Sequence, residues 1–365
     1  AGTWEHVRLD LKGLHENDAV AFFQAIMKLP PLPKTKPPER HALTELFKMV
    51  DFHPLSVGLL AELLKEQRPA ILGQSLEELL KQAPSDDPNR SLMASLNLSL
   101  QRLDAEAQKW LPRLGVFQGG AMEDVLLKVT EIKTWGNLRR ALENTGLIRA
   151  EIIAGHPSPF LKFHPTLAPA LRAKLTKEEQ QTLNTRHTQE YYRLSGWLYH
   201  EDSRNVHVTR AIAFRELPNL LHAVHAALDT GNEDAMYFAY DVNHFLNNFS
   251  FTLDSEAITQ KAQKLAQHGT KGRFLACSDH GGQLYNAGRY REAEEVFKET
   301  LAGLGDEPTY QRCVTLNQLG QCYESLGNSR QAAAAYRQGL EVAGKLEQDQ
   351  GVKRQAGSLQ ALLAV

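Results

Sequence analysis

The chain has 365 residues, of which 42% are hydrophobic and 23% charged, and its 41 Lys and Arg nearly balance its 43 Asp and Glu. This length accommodates two or three domains, because domains usually contain about one to two hundred residues. The balanced charge excludes a general attraction to nucleic acid or membranes. No apolar run reaches the length of a membrane span and no signal peptide is recognisable, so we expect a cytoplasmic protein.

The start of the chain predicts a short strand. Val7, Leu9 and Leu11 alternate with polar residues, which is typical of a half-buried strand. No later segment supplies a neighbouring strand, so we expect its sheet to lie outside this sequence. Residues 1–14 are therefore interpreted as a remnant strand and linker.

Residues 15–85 predict a small bundle of four helices. Asn17 or Asp18 is the expected N-cap of the first helix, and Pro69 is expected to end the third. The polar, proline-containing stretch 84–88 ends the bundle. The apolar positions at helical spacing are Ala19, Phe22, Phe23 and Ile26; Leu43, Leu46, Phe47 and Val50; Val57, Leu60, Leu63 and Leu64; and Leu76, Leu79 and Leu80.

Residues 86–175 predict helices followed by a β-hairpin. The first three helices are expected to carry the apolar positions of 92–103, 107–114 and 121–129, with a loop at 116–120. The segment 147–150 then pairs with 160–163 across a turn rich in glycine and proline. This order of elements is that of a winged-helix domain.

A winged helix raises the question of DNA binding. The helix that would enter a major groove is surrounded by four cations, Lys133, Arg139, Arg140 and Arg149. Trp135, Leu138 and Leu142 commit one face of that helix to the core, and no cluster suited to base-edge readout stands near it. We therefore expect a solvated face and no nucleic-acid partner, and keep a winged-helix DNA-binding regulator as an alternative.

The most specific pattern is an internal repeat between Gly281 and Leu340. Within each copy a small residue permits close approach of two helices, a glycine ends the first helix, and an aromatic residue faces back across the hairpin. The spacing resembles the tetratricopeptide repeat, with a period roughly five residues longer than its usual 34 or so. Equivalent residues stand 39 positions apart: Gly281 and Gly320, Gly288 and Gly327, Ala293 and Ala332, Phe297 and Tyr336, and Leu301 and Leu340.

A partner surface is predicted on these repeats. Stacked hairpins form a superhelix whose concave face is the usual binding surface, and the first helix of each hairpin lines it. We predict that a protein or peptide ligand contacts the polar first-helix residues Asp279, Gln283, Asn286, Asn317, Gln321 and Glu324. No structural role for these side chains is visible in the sequence. The alternative is that they form a solvated helix surface.

Two segments resemble the STAND signal-transduction NTPases of the NB-ARC-like group. The stretch Leu11 to Leu14, then Asp18-Ala19, Phe22-Phe23 and the helix-opening His53-Pro54-Leu55, resembles that family's lid region. The leucine-rich helix from Ser91, the stretch 114–120 and Phe163-His164-Pro165 are similar to the winged-helix domain that follows the lid. The family has a Gly-x-Pro turn where this chain has Phe52-His53-Pro54, and an Asp where it has Pro165.

The resemblance implies roles for two residues in an intact STAND protein. Pro54 would lie against adenine, and His164 would donate a hydrogen bond to the β-phosphate of ADP and hold lid and winged helix closed. ADP or ATP with magnesium, an intramolecular P-loop domain and an oligomer on activation are likewise implied. The structural alternatives are a proline in a first helical turn and a capping or core histidine.

The expected fold is mainly all-α. It comprises a helical lid domain at 15–85, a winged-helix domain with a small β-hairpin at 86–175, a helical repeat-like region at 176–268, and an α-α superhelix of tetratricopeptide-like repeats at 269–365. The expected function is the regulatory and sensor region of a STAND-type signalling NTPase. A stand-alone tetratricopeptide scaffold for protein interactions is the alternative.

Motifs for chemistry are sparse. The sequence has no Gly-x-x-x-x-Gly-Lys-Ser/Thr, so we expect no cofactor and no enzyme activity for this chain, whereas the implied full-length protein would be a slow ATPase. His222 and His225 lack a further ligand at recognisable spacing, so no metal site is predicted. The three cysteines, Cys277, Cys313 and Cys322, form no CxxC pair and are expected to be buried and reduced.

Overall fold

The computed structural model describes residues 13–28, 37–82, 90–101, 103–232, 234–266, 271–346 and 359–360. The strand predicted at residues 7–11 lies outside these ranges. The described chain is mainly helical with one small antiparallel sheet, as the sequence predicts. It divides into two compact units, Ala1–His187 and Thr188–Val365. Within the described ranges, no helix is both long and apolar enough to cross a membrane.

The first unit begins with five helices that share one core. Phe23 and Phe47 lie in this core with their ring centroids 5.7 Å apart. The fifth helix, predicted to open the winged-helix region, packs on the third and fourth and joins the core through Ala94 and Leu98. The helices are α1 (Glu16–Met27), α2 (Pro37–Lys48), α3 (Pro54–Leu63), α4 (Pro69–Gln82) and α5 (Arg90–Leu100).

Two helix boundaries in this bundle differ from the prediction. α1 begins at Glu16 with His15 at the N-cap, and the side chain of Asn17 instead accepts a hydrogen bond from Arg40 at 2.5 Å. α3 ends at Leu63, and Pro69 begins α4 rather than ending α3. A proline is tolerated there because the first-turn N–H that it lacks has no partner within the helix.

The turn before α3 has an unusual backbone. Asp51 and Phe52 are both left-handed, with φ of 52° and 51°. Phe52 accepts a hydrogen bond through its carbonyl from the Leu14 amide at 3.0 Å. Gly13 lies so close that a Cβ there would come within 1.8 Å of the Asp51 carbonyl oxygen. Phe52 stands where the Gly-x-Pro turn has its glycine. Its backbone adopts a left-handed conformation that favours glycine, although the residue at this position is phenylalanine.

The remainder of the first unit contains the small sheet. Its central strand β3 runs antiparallel to both neighbours in the order β1-β3-β2, with Arg149 opposite Lys162 and Ala121 opposite Leu161. The β2–β3 pair confirms the predicted hairpin. The elements are α6 (Ala105–Trp110), a 3-10 helix (Leu111–Val116), β1 (Gly120–Met122), α7 (Glu123–Thr130), α8 (Trp135–Asn144), β2 (Ile148–Glu151), β3 (Phe160–Phe163) and α9 (Leu167–Arg172).

The strand β1 is a correction to the sequence interpretation, which begins a helix at Ala121. The helix begins at Glu123, and the three preceding residues pair with β3. A strand of three residues is too short to show an alternating pattern. The local signal is Gly120, whose φ is 153° and where a Cβ would come within 2.5 Å of the Leu161 carbonyl oxygen. Close approach of the two strands therefore requires glycine at this position.

The second unit is built from layered helical hairpins. α12, α14 and α16 contact one another in succession, and each also packs on the helix that follows it. The unit includes α10 (Lys177–Glu201) from Thr188 onward, then α11 (Val206–Asp229), α12 (Ala235–Asn248), α13 (Thr252–Leu265), α14 (Lys271–Asn286), α15 (Tyr290–Leu304), α16 (Tyr310–Ser325) and α17 (Ser329–Gly344).

The repeated residues occupy equivalent places in the last two hairpins. Gly288 and Gly327 follow α14 and α16 with φ of 75° and 78°, the left-handed conformation expected of a glycine that ends a helix. Phe297 and Tyr336 are buried in one core cluster with the repeated alanines. The three cysteines are free thiols and buried, as predicted.

Candidate functional site

The structure brings together the two residues that the STAND resemblance assigns to nucleotide binding. Pro54 is the first residue of α3, and His164 follows the end of β3. The His164 ring forms a hydrogen bond with the Leu55 backbone and is influenced by the charge of His53. The ring therefore stands beside the first turn of α3, although more than one hundred residues separate it from Pro54 in the sequence.

Hydrogen bonds fix the orientation of the His164 ring. Its backbone N–H donates to the Leu147 carbonyl at 2.8 Å, and its Nδ1 lies 2.8 Å from Thr166 Oγ1. Burial is the main cause that lowers the pKa of His164; the Leu55 backbone opposes this effect and His53 adds to it. The imidazole is therefore neutral at pH 7. Thr166 supplies an orienting partner although Pro165 stands where the family has an aspartate.

Two buried polar atoms on the same turn have no hydrogen-bond partner among the described residues. They are Nδ1 of His53, immediately before α3, and Oγ of Ser56 in its first turn. A buried polar group left without a hydrogen bond costs about 1–3 kcal/mol. The first turn of α3 thus offers unsatisfied hydrogen-bonding groups next to the oriented imidazole of His164.

The cations around α8 are partly neutralised by acidic neighbours. Arg139 places Nη1 2.8 Å from Glu123 Oε1 and Nε 3.0 Å from Glu143 Oε1. Glu123 Oε1 also accepts from the Trp135 indole N–H at 2.6 Å. Arg140 donates to the Asn137 side chain at 2.7 Å. The two carboxylates reduce the positive charge that Arg139 presents to solvent, whereas Asn137 is uncharged and leaves the charge of Arg140 unchanged.

The six residues predicted to bind a partner on the repeats do not share one face. Under the 39-residue offset Asp279 corresponds to Gln318, whereas Asn317 corresponds to Ser278 and Gln283 to Cys322. Ser278 and Gln318 contact each other instead, with Gln318 Nε2 2.9 Å from Ser278 Oγ. The predicted set therefore mixes positions that face solvent with positions that face neighbouring helices.

The expectation that all six lack a structural role is wrong. Asn317 is only 8% exposed. Gln283 donates to Ser255 Oγ and Thr259 Oγ1, both at 2.8 Å, and so joins α14 to α13.

The remaining members of this set retain accessible surface. Glu324 is exposed but accepts a hydrogen bond from the Tyr336 hydroxyl at 3.0 Å. Asn286 is exposed, and Asp279 and Gln321 are partly exposed.

A polar cluster on α10, α12 and α14 was not found from the sequence. Asp279 accepts a hydrogen bond from Asn243 Nδ2 at 2.8 Å, and Asp241 Oδ2 accepts one from Ser195 Oγ at 3.3 Å. The rings of Tyr199 and Tyr240 meet edge to face at 5.6 Å. The available signal is the polar and aromatic residues Tyr237, Tyr240, Asp241 and His244, which stand at helical spacing on α12.

The carboxyl groups of this cluster have strongly shifted pKa values. Burial is the main cause that raises the pKa of Asp241 to about 7, and the Ser195 hydrogen bond opposes it. Burial likewise raises the pKa of Asp279 to about 7; the Asn243 hydrogen bond opposes this shift and Asp241 adds to it. Burial, Tyr199 and Asp279 raise the pKa of Tyr240. The three groups therefore act on one another electrostatically.

No metal centre is found in the described ranges, where no three or more His, Cys, Asp or Glu side chains are arranged to hold an ion. His222 and His225 form no exception. Burial is the main cause that lowers the pKa of His225; Lys261 adds to this effect, and Asp229 and Asp254 oppose it.

Comparisons with known proteins agree with the repeat interpretation. Residues 274–345 match the family model of the tetratricopeptide repeat, which confirms the repeats predicted from the sequence. Among solved structures, the chain is similar to a Signal Transduction ATPase with Numerous Domains (STAND) protein with a tetratricopeptide repeat sensor from Pyrococcus horikoshii. The sequence identity is 15% and the TM-score 0.36, and the match covers 97% of this chain and 57% of the other. No curated protein sequence matches the chain.

Proposed function

We propose that this chain is the regulatory and sensor region of a STAND-type signalling NTPase. The first turn of α3 and His164 would gate a nucleotide-dependent switch, and the helical hairpins of the second unit would bind the ligand that biases it. The chain itself would not hydrolyse ATP, since its sequence has no phosphate-binding loop motif. A P-loop domain of the same protein would supply that loop, in the cytoplasm.

The observation that carries this proposal is the meeting of His164 with the first turn of α3. The sequence assigns Pro54 and His164 to one nucleotide only through a family resemblance, and nothing in their spacing requires proximity. The hydrogen bond of the His164 ring with the Leu55 backbone, and the effect of His53 on the pKa of that ring, support a common role. The tetratricopeptide repeats at 274–345 supply the second element of the proposal, a surface suited to a protein or peptide ligand.

The chemistry of the turn suits an anionic nucleotide. A neutral imidazole donates one N–H, and first-turn backbone N–H groups of a helix attract negative charge. The buried Nδ1 of His53 and Oγ of Ser56 offer further hydrogen bonds where none is made among the described residues. In this proposal a β-phosphate replaces one partner of the His164 ring, and its release lets the lid region separate from the sheet-bearing region.

The test is ADP affinity of the intact protein, measured by calorimetry. We expect His164→Ala to weaken ADP binding at least tenfold and to promote oligomerisation, because the lid region loses its link to the phosphate. His164→Gln, which keeps a side-chain N–H donor, should recover part of the affinity. His41→Ala is the matched control, because His41 is exposed on α2, away from the turn.

Equal ADP affinity of the wild-type and His164→Ala proteins would overturn the proposal. Melting curves of each variant separate loss of affinity from loss of folding. An intact protein without a P-loop motif would leave a repeat scaffold as the function, and salt-dependent duplex binding abolished by Arg139→Ala and Arg140→Ala would indicate a DNA-binding regulator.

A further inference from the structure

The polar cluster of the second unit contains two carboxylates without a cationic partner. Asp241 receives a hydrogen bond from Ser195, and Asp279 receives one from Asn243. Within the described part of the chain, no Lys or Arg side chain forms an ion pair with either of them or shifts its pKa. By contrast, Asp202, which follows α10, is paired with Arg210 at 3.0 Å and with His244 at 2.9 Å.

Aromatic rings accompany these carboxylates. Tyr199 and Tyr240 meet edge to face, and the pKa of Tyr240 responds to both Asp279 and Tyr310. Tyr192 on α10 responds in the same way to Asp241. Tyr199 and Tyr240 are partly exposed, and Tyr310 is 40% exposed. Proteins hold organic cations by combining two features, the electron-rich faces of aromatic rings and nearby carboxylates.

A buried amide provides an independent sign of an incomplete site. Asn243 on α12 is 0% exposed, and its Nδ2 lies 2.8 Å from Asp279 Oδ2 and 2.9 Å from Thr259 Oγ1. Its Oδ1 is buried and has no hydrogen-bond partner among the described residues. This buried acceptor belongs to the side chain that binds Asp279, and it calls for a donor; the amide oxygen and both carboxylates accept hydrogen bonds from N–H groups.

We propose that Asp241, Asp279, Asn243 and the rings of Tyr199 and Tyr240 form a binding site for an organic cation, the ammonium or guanidinium group of a basic ligand. The carboxylates neutralise its charge, the Asn243 amide oxygen accepts one of its N–H groups, and the tyrosine rings cover its alkyl stem. This deepens the proposed sensor function by naming the ligand chemistry, and it rests on that proposal only for the link to nucleotide switching.

The charge distribution selects a cation over an anion or a neutral group. A ligand carboxylate or phosphate would meet two acidic side chains and buried acceptors. A neutral apolar ligand would leave Asp241 and Asp279 without a compensating positive charge, and the Asn243 acceptor without a donor, in a less solvated place. An ammonium or guanidinium group satisfies these groups together, because it carries only N–H donors and a positive charge.

The test uses the 365-residue chain and acetylated, amidated pentapeptides in calorimetry at pH 8. The probes are Ala-Ala-Lys-Ala-Ala, the same peptide with arginine, and a matched peptide with norleucine, which keeps the alkyl stem and removes the charge. Spermidine is a further probe. We expect saturable binding of the lysine or arginine peptide and at least tenfold weaker binding of the norleucine peptide. Binding by spermidine alone would assign the cation to a free amine rather than to a peptide.

Variants locate the site. Asp241→Asn and Asp279→Asn preserve shape and remove charge, so we expect each to weaken the cationic probe at least tenfold. Tyr240→Leu should weaken it severalfold. Asp306→Asn is the control, because the Asp306 side chain is fully exposed beyond this cluster and its removal should leave affinity unchanged. Circular dichroism and melting curves establish that each variant is folded.

Three results would overturn this assignment: no saturable binding by any cationic probe, equal binding of the lysine and norleucine peptides, or cation binding that persists in folded Asp241→Asn and Asp279→Asn proteins. These measurements contain no nucleotide. The cation site can therefore be refuted while ADP binding through His164 is upheld, and the reverse also holds.

Discussion

The ring of Phe297 occupies the space where a side chain at Gly281 would stand. A Cβ on Gly281 would come within 2.4 Å of Cε1 of that ring, and a Cβ on Gly320 within 2.1 Å of the equivalent atom of Tyr336. Each glycine therefore leaves the space that the aromatic ring of the following helix fills. The close approach of α14 to α15, and of α16 to α17, depends on the absence of these side chains.

The first prediction tests this packing. We expect Gly281→Ala to destabilise the second unit by about 1–3 kcal/mol, because the added methyl displaces the ring of Phe297. Gly282→Ala on the same helix is the matched control, since a Cβ at Gly282 would meet no atom of another part of the chain within 4 Å. It should be neutral or stabilise by up to about 1 kcal/mol. Urea unfolding measures the stability of both variants. Equal stability would contradict the conclusion that Gly281 is needed to accommodate the Phe297 ring.

The second prediction concerns Asn317, for which the sequence showed no structural role. Because Asn317 is buried, we expect Asn317→Ala to lower the free energy of unfolding by about 1–3 kcal/mol. Asn286→Ala, at an exposed position of the preceding repeat, should stay within about 0.5 kcal/mol of the wild type. Thermal or urea unfolding decides between them. A neutral Asn317→Ala would restore that residue as a candidate for a purely binding role.

The repeats were predictable because a few single residues determine how their helices pack. A glycine and an aromatic residue at fixed spacing report one local contact between adjacent helices. β1 was not predictable in this way, since three residues carry no periodicity. The packing of α5 on α3 and α4 was also not predicted, because a stripe of leucines shows that a helix is buried but does not show which helix it packs against.

The candidate sites were predictable to different degrees. Pro54 and His164 were singled out through family resemblance, but their proximity is a property of the fold. The cluster of Asp241, Asp279 and Tyr199 was missed because its members come from three helices that meet only after packing. Conversely, Gln283 and Asn317 were chosen as polar surface residues, although hydrogen bonding or burial places them within the structure.

The third prediction concerns pH. The pKa of Asp241 is about 7 in the folded chain and about 4 when unfolded, so between these values the folded state binds more protons. The contribution of Asp241 to the free energy of unfolding should therefore fall as pH rises from about 4 to about 7, and remain lower above that range. We expect Asp241→Asn to weaken this dependence and to raise the melting temperature at pH 8, by roughly 2–4 °C per kcal/mol gained.

Melting curves at pH 5.5 and pH 8 measure this effect. The titratable neighbours whose pKa Asp241 raises are Tyr192 on α10 and Asp279 on α14. Asp306→Asn should leave the pH dependence unchanged. A lower melting temperature of Asp241→Asn at pH 8 would show that the charged carboxylate stabilises the fold.

The fourth prediction is that this chain alone neither hydrolyses ATP nor binds ATP or ADP tightly. The phosphate-binding loop motif is absent from its sequence, and the turn at α3 with His164 offers only part of a nucleotide site. Calorimetry of the 365-residue chain with ADP should give no heat consistent with micromolar affinity. Micromolar binding lost in His164→Ala would mean that the lid and the sheet-bearing region suffice to hold the nucleotide.

The fifth prediction is that residues 176–365 fold without residues 1–175. Hairpin arrays are held by contacts between neighbouring layers, and the second compact unit begins at Thr188. A fragment starting at Thr176 keeps the reciprocal cap of α10, in which the Thr176 N–H donates to Glu179 at 3.0 Å and the Glu179 N–H donates to Thr176 at 3.2 Å. Cooperative thermal unfolding is expected, and a non-cooperative transition would contradict it.

The buried cysteines can report local opening of the helical hairpins. Cys277 lies in α14, and Cys313 and Cys322 lie in α16, each buried, and burial raises the pKa of Cys322 to about 11. Thiolates react with alkylating reagents, so each sulfur becomes reactive only when its own layer opens. Alkylation followed by mass spectrometry would therefore measure the opening rates of α14 and α16 separately, without an added label. A bound ligand would slow the alkylation of the cysteines in the helix that it contacts.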